Sequence, residues 1–271
     1  MNTVSNTGGG SISASFSSFG SIVPQHFPLR LTASRMIAPS VRHLVFQRDD
    51  GDSLSFLPGQ FLQVHFHYDD GKPTKRSYSI ATVYDGQARP DLPIEMAVSY
   101  VSGGAATALF EHLKEGDRVE ASGPFGRFCL MPNDQNRRYL LVGTGTGVTP
   151  YRAMLPQLAQ QIRERGIEVI LLFGARTPTE LLYADEFAAF AETTPGFRFV
   201  PCFSREMPAQ PRADDRQGYV QNALAEFQPD PEGDIAYLCG NPNMVDASFE
   251  VLKEAGLPVP HIRREKYVSS K

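Results

Sequence analysis

The stretch Tyr139-Leu-Leu-Val-Gly-Thr-Gly-Thr-Gly-Val-Thr-Pro150 decides the fold. Its first four residues form a continuous apolar run, as in a strand buried on both faces. The glycines at 143, 145 and 147 then open a helix. Glycine lets main chain approach a pyrophosphate closely, and a helix N-terminus offers free N–H groups and a positive dipole end. Gly143, Thr144, Gly145, Thr146, Gly147 and Thr149 are therefore candidate nucleotide-binding residues. The spacing is GxGxG, with Val148 where the GxGxxG fingerprint has its last glycine. No Walker lysine follows, which argues against a nucleoside triphosphate site. A plain tight strand-to-helix turn has the same composition.

Further apolar runs follow this stretch: Glu168–Phe173, Phe197–Phe203 and Asp234–Leu238, separated by helical stretches. That alternation predicts right-handed βαβ units and a doubly wound parallel sheet. Pro156 falls inside the first helix and should kink or delay it.

Upstream the rhythm differs. Short alternating runs at Arg42–Gln47, Phe61–Phe66, Arg76–Ile80, Ile94–Tyr100 and Asp117–Glu120 are punctuated by Asp50-Gly51, Pro58-Gly59 and Asp70-Gly71. They predict a small antiparallel β-barrel, with one helix starting near Gly104. The expected organisation is a tail over 1–25, a barrel domain over 26–133 and an α/β domain over 134–271. The tail is rich in Ser, Gly and Asn and lacks the features of a secretory or mitochondrial leader.

Three further segments carry polar chemistry. In Arg76-Ser-Tyr-Ser79, strand alternation puts Arg76 and Tyr78 on one face and Ser77 and Ser79 on the other. A ring beside a guanidinium suits a flat, phosphate-bearing ligand, although an ordinary amphipathic strand reads the same way. Gly103-Gly-Ala-Ala-Thr107 is a second candidate phosphate cradle or a capped glycine turn. Cys239 ends a strand at the sheet edge where ligands bind in open α/β folds; alone it is equally a small buried hydrophobe. Taken alone, Glu265 is a solvated charge.

Composition narrows the classes. The chain has 271 residues, 41% hydrophobic and 21% charged, and a net charge of -4. Whole-chain charge gives no reason to expect nucleic-acid binding. No apolar run reaches the ~20 residues of a membrane span. The 3 cysteines are too few for a four-thiolate cluster and suit a reducing cytoplasm. His65 and His67 share a strand face without further ligands at metal spacing, so no metal is expected.

In this order, the motifs resemble the ferredoxin–NADP reductase superfamily, in the form of bacterial-type ferredoxin/flavodoxin–NADP(+) reductases. The resemblance runs from about residue 28 onward and rests on Arg76–Ser79, Gly143–Pro150, Tyr237-Leu-Cys-Gly-Asn-Pro-Asn-Met244 and Glu265-Lys-Tyr267. It implies FAD on the barrel, NADP on the α/β domain, and electron exchange with ferredoxin or flavodoxin by a monomer. It implies that Tyr78 and Tyr267 cover the two flavin faces and that Ser79 lies near flavin N5. Arg76 and main-chain N–H groups of Gly103, Gly104, Ala105, Ala106 and Thr107 would bind the FAD pyrophosphate. Cys239 and Glu265 would flank the point of hydride transfer. Arg176, Ser204, Arg205 and Arg216 would favour a 2′-phosphate, hence NADP over NAD. Val268–Lys271 add no second aromatic after Tyr267. Two other readings share these motifs: the reductase component of a multicomponent oxygenase, and a non-catalytic flavin-binding subunit of a larger complex.

Overall fold

The computed structural model describes residues 23–268. The expected tail over 1–25 lies outside the described residues except for its last three, of which Gln25 already belongs to a strand. The far end, 269–271, also lies outside them.

The first sheet contains β1 (Gln25–Ala38), β2 (Val41–Arg48), β3 (Phe61–His67), β4 (Pro73–Ser79), β5 (Ile94–Ser99) and β6 (Arg118–Phe125). Its order is β4-β3-β6-β1-β2-β5, antiparallel throughout. Just past β4, the Ala81 N–H donates to the Glu95 carbonyl on β5 at 2.8 Å, which curls the sheet into a barrel. Phe27, Leu29, Leu31, Leu44, Phe46, Leu62 and Val64 fill the interior. Helix α1 (Ala105–His112) covers one end, with Phe110 fully buried.

The second sheet contains β7 (Arg138–Thr144), β8 (Glu168–Ala175), β9 (Phe197–Phe203), β10 (Arg216–Gln217), β11 (Asp234–Gly240) and β12 (Ile262–Lys266). It is parallel in the order β10-β9-β8-β7-β11-β12. Helices α2 (Thr149–Arg165), α3 (Ala184–Thr193), α4 (Val220–Glu226) and α5 (Pro242–Glu254) cover its two faces. Every residue of β11 is buried, as expected for a central strand between two helical layers. The strand order reverses between β7 and β11, so a crevice opens beyond their C-terminal ends.

The sequence pattern did not reveal three of the strands, β1, β10 and β12, and one expectation needs correction. Pro156 does not delay α2, which runs from Thr149 to Arg165. The fully buried Met154 and Leu158 flank the proline, and their packing holds the helix where propensity alone would weaken it.

The two sheets share a core. Val41, Ala97, Phe128 and Leu130 from the barrel side pack in one cluster with Leu141, Tyr151, Phe173 and Tyr237. The Met131 N–H donates to the Tyr237 hydroxyl at 2.9 Å. No helix among the described residues is long and apolar enough to cross a membrane.

Candidate active site

At the switch point, main chain meets main chain. A Cβ on Gly147 would overlap the Cys239 carbonyl and lie 2.6 Å from Gly240 Cα. The glycine repeat thus seats the turn after β7 directly on the end of β11. The Tyr151 hydroxyl, 2.8 Å from the Val142 carbonyl and 2.7 Å from that of Tyr237, ties α2 beneath the same junction.

Two cavities open from this junction. The first, of about 550 Å³, lies against β4. Arg76, Ser77, Tyr78 and Ser79 form one wall, and Gly104, Ala106, Thr107 and Thr146 lie across from them. Glu265, Lys266 and Tyr267 close it. The second, of about 730 Å³, lies over the C-terminal edge of the parallel sheet. Thr144, Gly145, Arg176, Ser204, Tyr219 and Asn241 are among its walls. Ser99 and Tyr267 line both cavities, so the two spaces meet at one tyrosine ring.

The donor sets suit phosphate-bearing ligands. Neither α1 nor α2 carries a side-chain cap or an acidic residue in its first turn. The leading N–H groups and dipole end of α1 are left for an anion, whereas α2 opens with Thr149, whose N–H donates to the Thr146 carbonyl, and with Pro150, which has no N–H. Helix α5 differs: the Asn241 side chain accepts from the Asn243 N–H at 2.9 Å. Arg76 sits at the mouth of the first cavity, with Nη1 donating to Thr74 Oγ1 at 2.9 Å and Nη2 to the Tyr68 hydroxyl at 3.1 Å. The half-buried Tyr78 ring packs edge-on against Phe110, with centroids 5.3 Å apart, and burial pushes its hydroxyl up to about 12.

Where the cavities meet, four polar side chains converge. Ser79 Oγ is hydrogen-bonded to the Tyr267 hydroxyl. Tyr267 also packs against the buried cluster that contains Cys239. Cys239 and Glu265 are register partners on β11 and β12, and the Tyr267 N–H donates to the Gly240 carbonyl at 2.8 Å. Burial pushes the Glu265 carboxyl up to about 7 and the Cys239 thiol well above its usual range. Cys239 is fully buried and lines neither cavity. It is therefore held as a neutral thiol, unsuited to nucleophilic attack.

Other sequence candidates lie further out, apart from Arg176, a wall residue of the second cavity. Gly143, Gly147 and Thr149 form the framework beneath the loop, and Gly103 and Ala105 flank the first cavity without lining it. Arg176 is forked onto Glu180, with Nε to Oε2 at 2.7 Å. Arg205 is exposed, and its N–H donates to the Arg176 carbonyl at 2.9 Å. Arg216 is bound to Glu226 at 2.9 Å and lines neither cavity. Sequence reading passed over several lining residues, among them Ser99 and the 64% exposed Tyr219. An aromatic ring beside Gly218 at the C-terminal edge of the sheet is a signal that could have found Tyr219.

Two nucleotide-sized cavities that meet at one ring define a flavin- and nicotinamide-nucleotide-dependent oxidoreductase. Comparisons agree. Residues 28–129 match the oxidoreductase FAD-binding domain family, and residues 141–249 match the oxidoreductase NAD-binding domain family. Ferredoxin–NADP reductase B of Sorangium cellulosum is 36% identical over 91% of this chain and 99% of its own length. The reductase subunit of an aromatic O-demethylase from Amycolatopsis is also 36% identical, over 80% of this chain and 62% of its own length. A solved cytochrome P450 reductase from Amycolatopsis superposes with a TM-score of 0.76 at 33% identity, covering 90% of this chain and 70% of that one. A ferredoxin NADP+ reductase from Neisseria gonorrhoeae, solved with FAD and NADP, shares the fold with a TM-score of 0.75 at 23% identity, covering 89% of this chain and 98% of that one. The chain belongs to the ferredoxin–NADP reductase family.

Proposed function

We propose that the chain is a ferredoxin–NADP(+) reductase, exchanging electrons between NADP(H) and ferredoxin or flavodoxin. The observation that carries this reading is the single ring, Tyr267, set between a cavity on the barrel and a cavity on the parallel sheet. Residues 26–133 would hold FAD and residues 134–271 the nicotinamide nucleotide. When bound, the two cofactors supply the redox chemistry, a hydride between them and single electrons to the carrier.

The chain's own residues bind and orient. Arg76 and the uncapped start of α1 suit the FAD phosphates, and the Gly143–Gly147 turn suits the nicotinamide-side pyrophosphate. Tyr78 and Tyr267 offer flat faces, and Ser79 presents a hydroxyl held in place by Tyr267. Arg176 and Ser204, side by side on the second cavity wall, support a 2′-phosphate. Cys129, Cys202 and Cys239 are buried free thiols, which supports a reducing, cytoplasmic setting.

Similarity to the O-demethylase reductase subunit favours a second reading, the reductase component of an oxygenase system. Such a chain would need a separate iron–sulfur carrier, because these three thiols cannot hold a cluster.

The test is to purify the chain, identify its flavin, and compare NADPH and NADH as donors with ferricyanide, ferredoxin and flavodoxin as acceptors. A yellow, FAD-containing protein that prefers NADPH and reduces ferredoxin or flavodoxin is expected. FAD without turnover would favour a non-catalytic subunit, and a colourless protein would overturn the assignment.

A further inference from the structure

We propose that Arg152 is a positioning residue for the reaction, clamping the walls of the barrel cavity to the helix that carries the nucleotide loop. The inference rests on the functional reading above and deepens it.

Arg152 lies on α2 and is 9% exposed. Its Nη1 donates to the Ala81 carbonyl at 2.6 Å and also to the Glu95 carboxylate. Its Nε donates to Glu186 Oε2 at 2.6 Å, and its Cζ lies 4.9 Å from the centre of the Tyr183 ring. One guanidinium thus joins two barrel segments to α2, α3 and the turn before α3. The surroundings are built to hold it. His43 Nε2 lies 3.4 Å from Glu95, His43 Nδ1 shares a 2.8 Å hydrogen bond with the Tyr183 hydroxyl, and Arg35 reaches Glu186 at 3.7 Å. Burial, then the Arg152 and Arg35 charges, push the His43 imidazole down to about 4, so it sits neutral beside the pair.

The gripped segments are the ones that shape the site. Ala81 is two residues beyond Ser79. Glu95 is on the strand whose Ala97 and Ser99 line the first cavity, and Ser99 lines both. On the other side, Arg152 follows Thr146, a wall residue of the same cavity, within the turn and helix that leave β7. A shift of Arg152 relative to Ala81 is therefore a shift of the nucleotide loop relative to Ser79. Apolar packing already joins the sheets through Val41, Ala97, Phe128 and Leu130. Such packing tolerates small slides, whereas a fork of directed hydrogen bonds fixes distance and angle. A buried ion cluster is a weak source of stability compared with apolar side chains of equal volume, so geometry is the better account of its presence. A displacement of ~1 Å between reacting groups can cost ~100-fold in rate.

The test uses the full chain loaded with FAD and the variants Arg152→Gln and Arg152→Lys. Three quantities are read: FAD content, NADP+ affinity from the flavin difference spectrum, and the anaerobic single-turnover rate of flavin bleaching by NADPH. Arg152→Gln is expected to keep FAD and bind NADP+ within about 3-fold of the parent, while bleaching slows by about 30-fold or more. Arg152→Lys should recover part of that rate, since an ammonium keeps the charge but not the planar fork. An unchanged rate overturns the proposal, and so does a rate loss matched by equal loss of FAD or NADP+ binding. If Arg152→Gln does not fold, Glu186→Ala removes one partner at the half-exposed rim. It should slow bleaching by about 3-fold with binding intact, and an unchanged rate there also overturns the proposal. A parent chain that binds FAD but is bleached by neither NADPH nor NADH refutes the functional reading itself, an outcome distinct from a defect confined to the variants.

Discussion

Ser79 on β4 and Tyr267 just past β12 share a hydrogen bond across 188 positions of sequence. The pair joins the barrel to the last described strand of the parallel sheet at the point where both cavities meet. Ser79 is nearly buried, and its backbone is paired with Phe61, so removing the hydroxyl leaves the wall standing. Ser79→Ala is expected to retain FAD and to slow flavin reduction by about 100-fold, the scale of losing one directed donor in a dry site. Stopped-flow absorbance at the flavin band would show it; a rate within twofold of the parent would remove Ser79 from the chemistry.

Gly147 has no room for a methyl group, because both its neighbours at the switch point are main chain. Gly147→Ala must push the turn off the end of β11. It is expected to destabilise the protein by about 2 kcal/mol or more and to weaken nicotinamide-nucleotide binding sharply, while the barrel keeps FAD. Chemical denaturation and nucleotide titration of the same sample check both halves of the statement.

Glu265 titrates near pH 7 because burial raises its carboxyl to about 7. Below that pH the group is neutral; above it a carboxylate stands beside the Cys239–Tyr267 pair. A nicotinamide that gives up hydride becomes positively charged, and a nearby anion stabilises that development. Flavin reduction by NADPH should therefore rise with pH through an inflection near 7. Glu265→Gln should flatten the profile at a low rate. A parent profile without an inflection between pH 6 and 8 would contradict this role.

Arg176 lines the second cavity beside Ser204, while Arg205 stands outside it. Arg176→Ala is expected to lower kcat/KM for NADPH by about 10-fold or more while leaving NADH use within twofold, since a charged hydrogen bond to phosphate is worth about 1.5–3 kcal/mol. Arg205→Ala should have the smaller effect. Equal losses with both nucleotides would mean that Arg176 supports the cavity without reading the phosphate.

How much of this was legible depended on where each strand lies. β7, β8, β9 and β11 are buried on both faces and announced themselves as apolar runs. β12, Ile262–Lys266, is an edge strand with only Ile262 buried, so its charged sequence carries no such pattern. β1 hides for another reason. Its pairing with β2 shifts register between Leu31 and Ala33 and again between Met36 and Ala38, which breaks the two-residue alternation. Of the site, the local signals were readable: glycines at a strand end, and Arg76–Ser79 on one strand. The meeting of Ser79, Cys239, Glu265 and Tyr267 was reached in the sequence only by resemblance, since no spacing encodes a contact between separate sheets. The Arg152 cluster was not legible at all, because its partners at 43, 81, 95, 183 and 186 are ordinary residues until the fold brings them together.

Phe128 and Leu130 come from the barrel side yet sit in the same apolar cluster as the strands of the parallel sheet. The two halves are therefore not interchangeable cassettes. A chimaera that joined this barrel to the nicotinamide half of a distant relative would set those side chains against a surface never shaped to receive them. Substrate preference in such a protein is better altered by local replacement around the second cavity than by exchange of whole lobes.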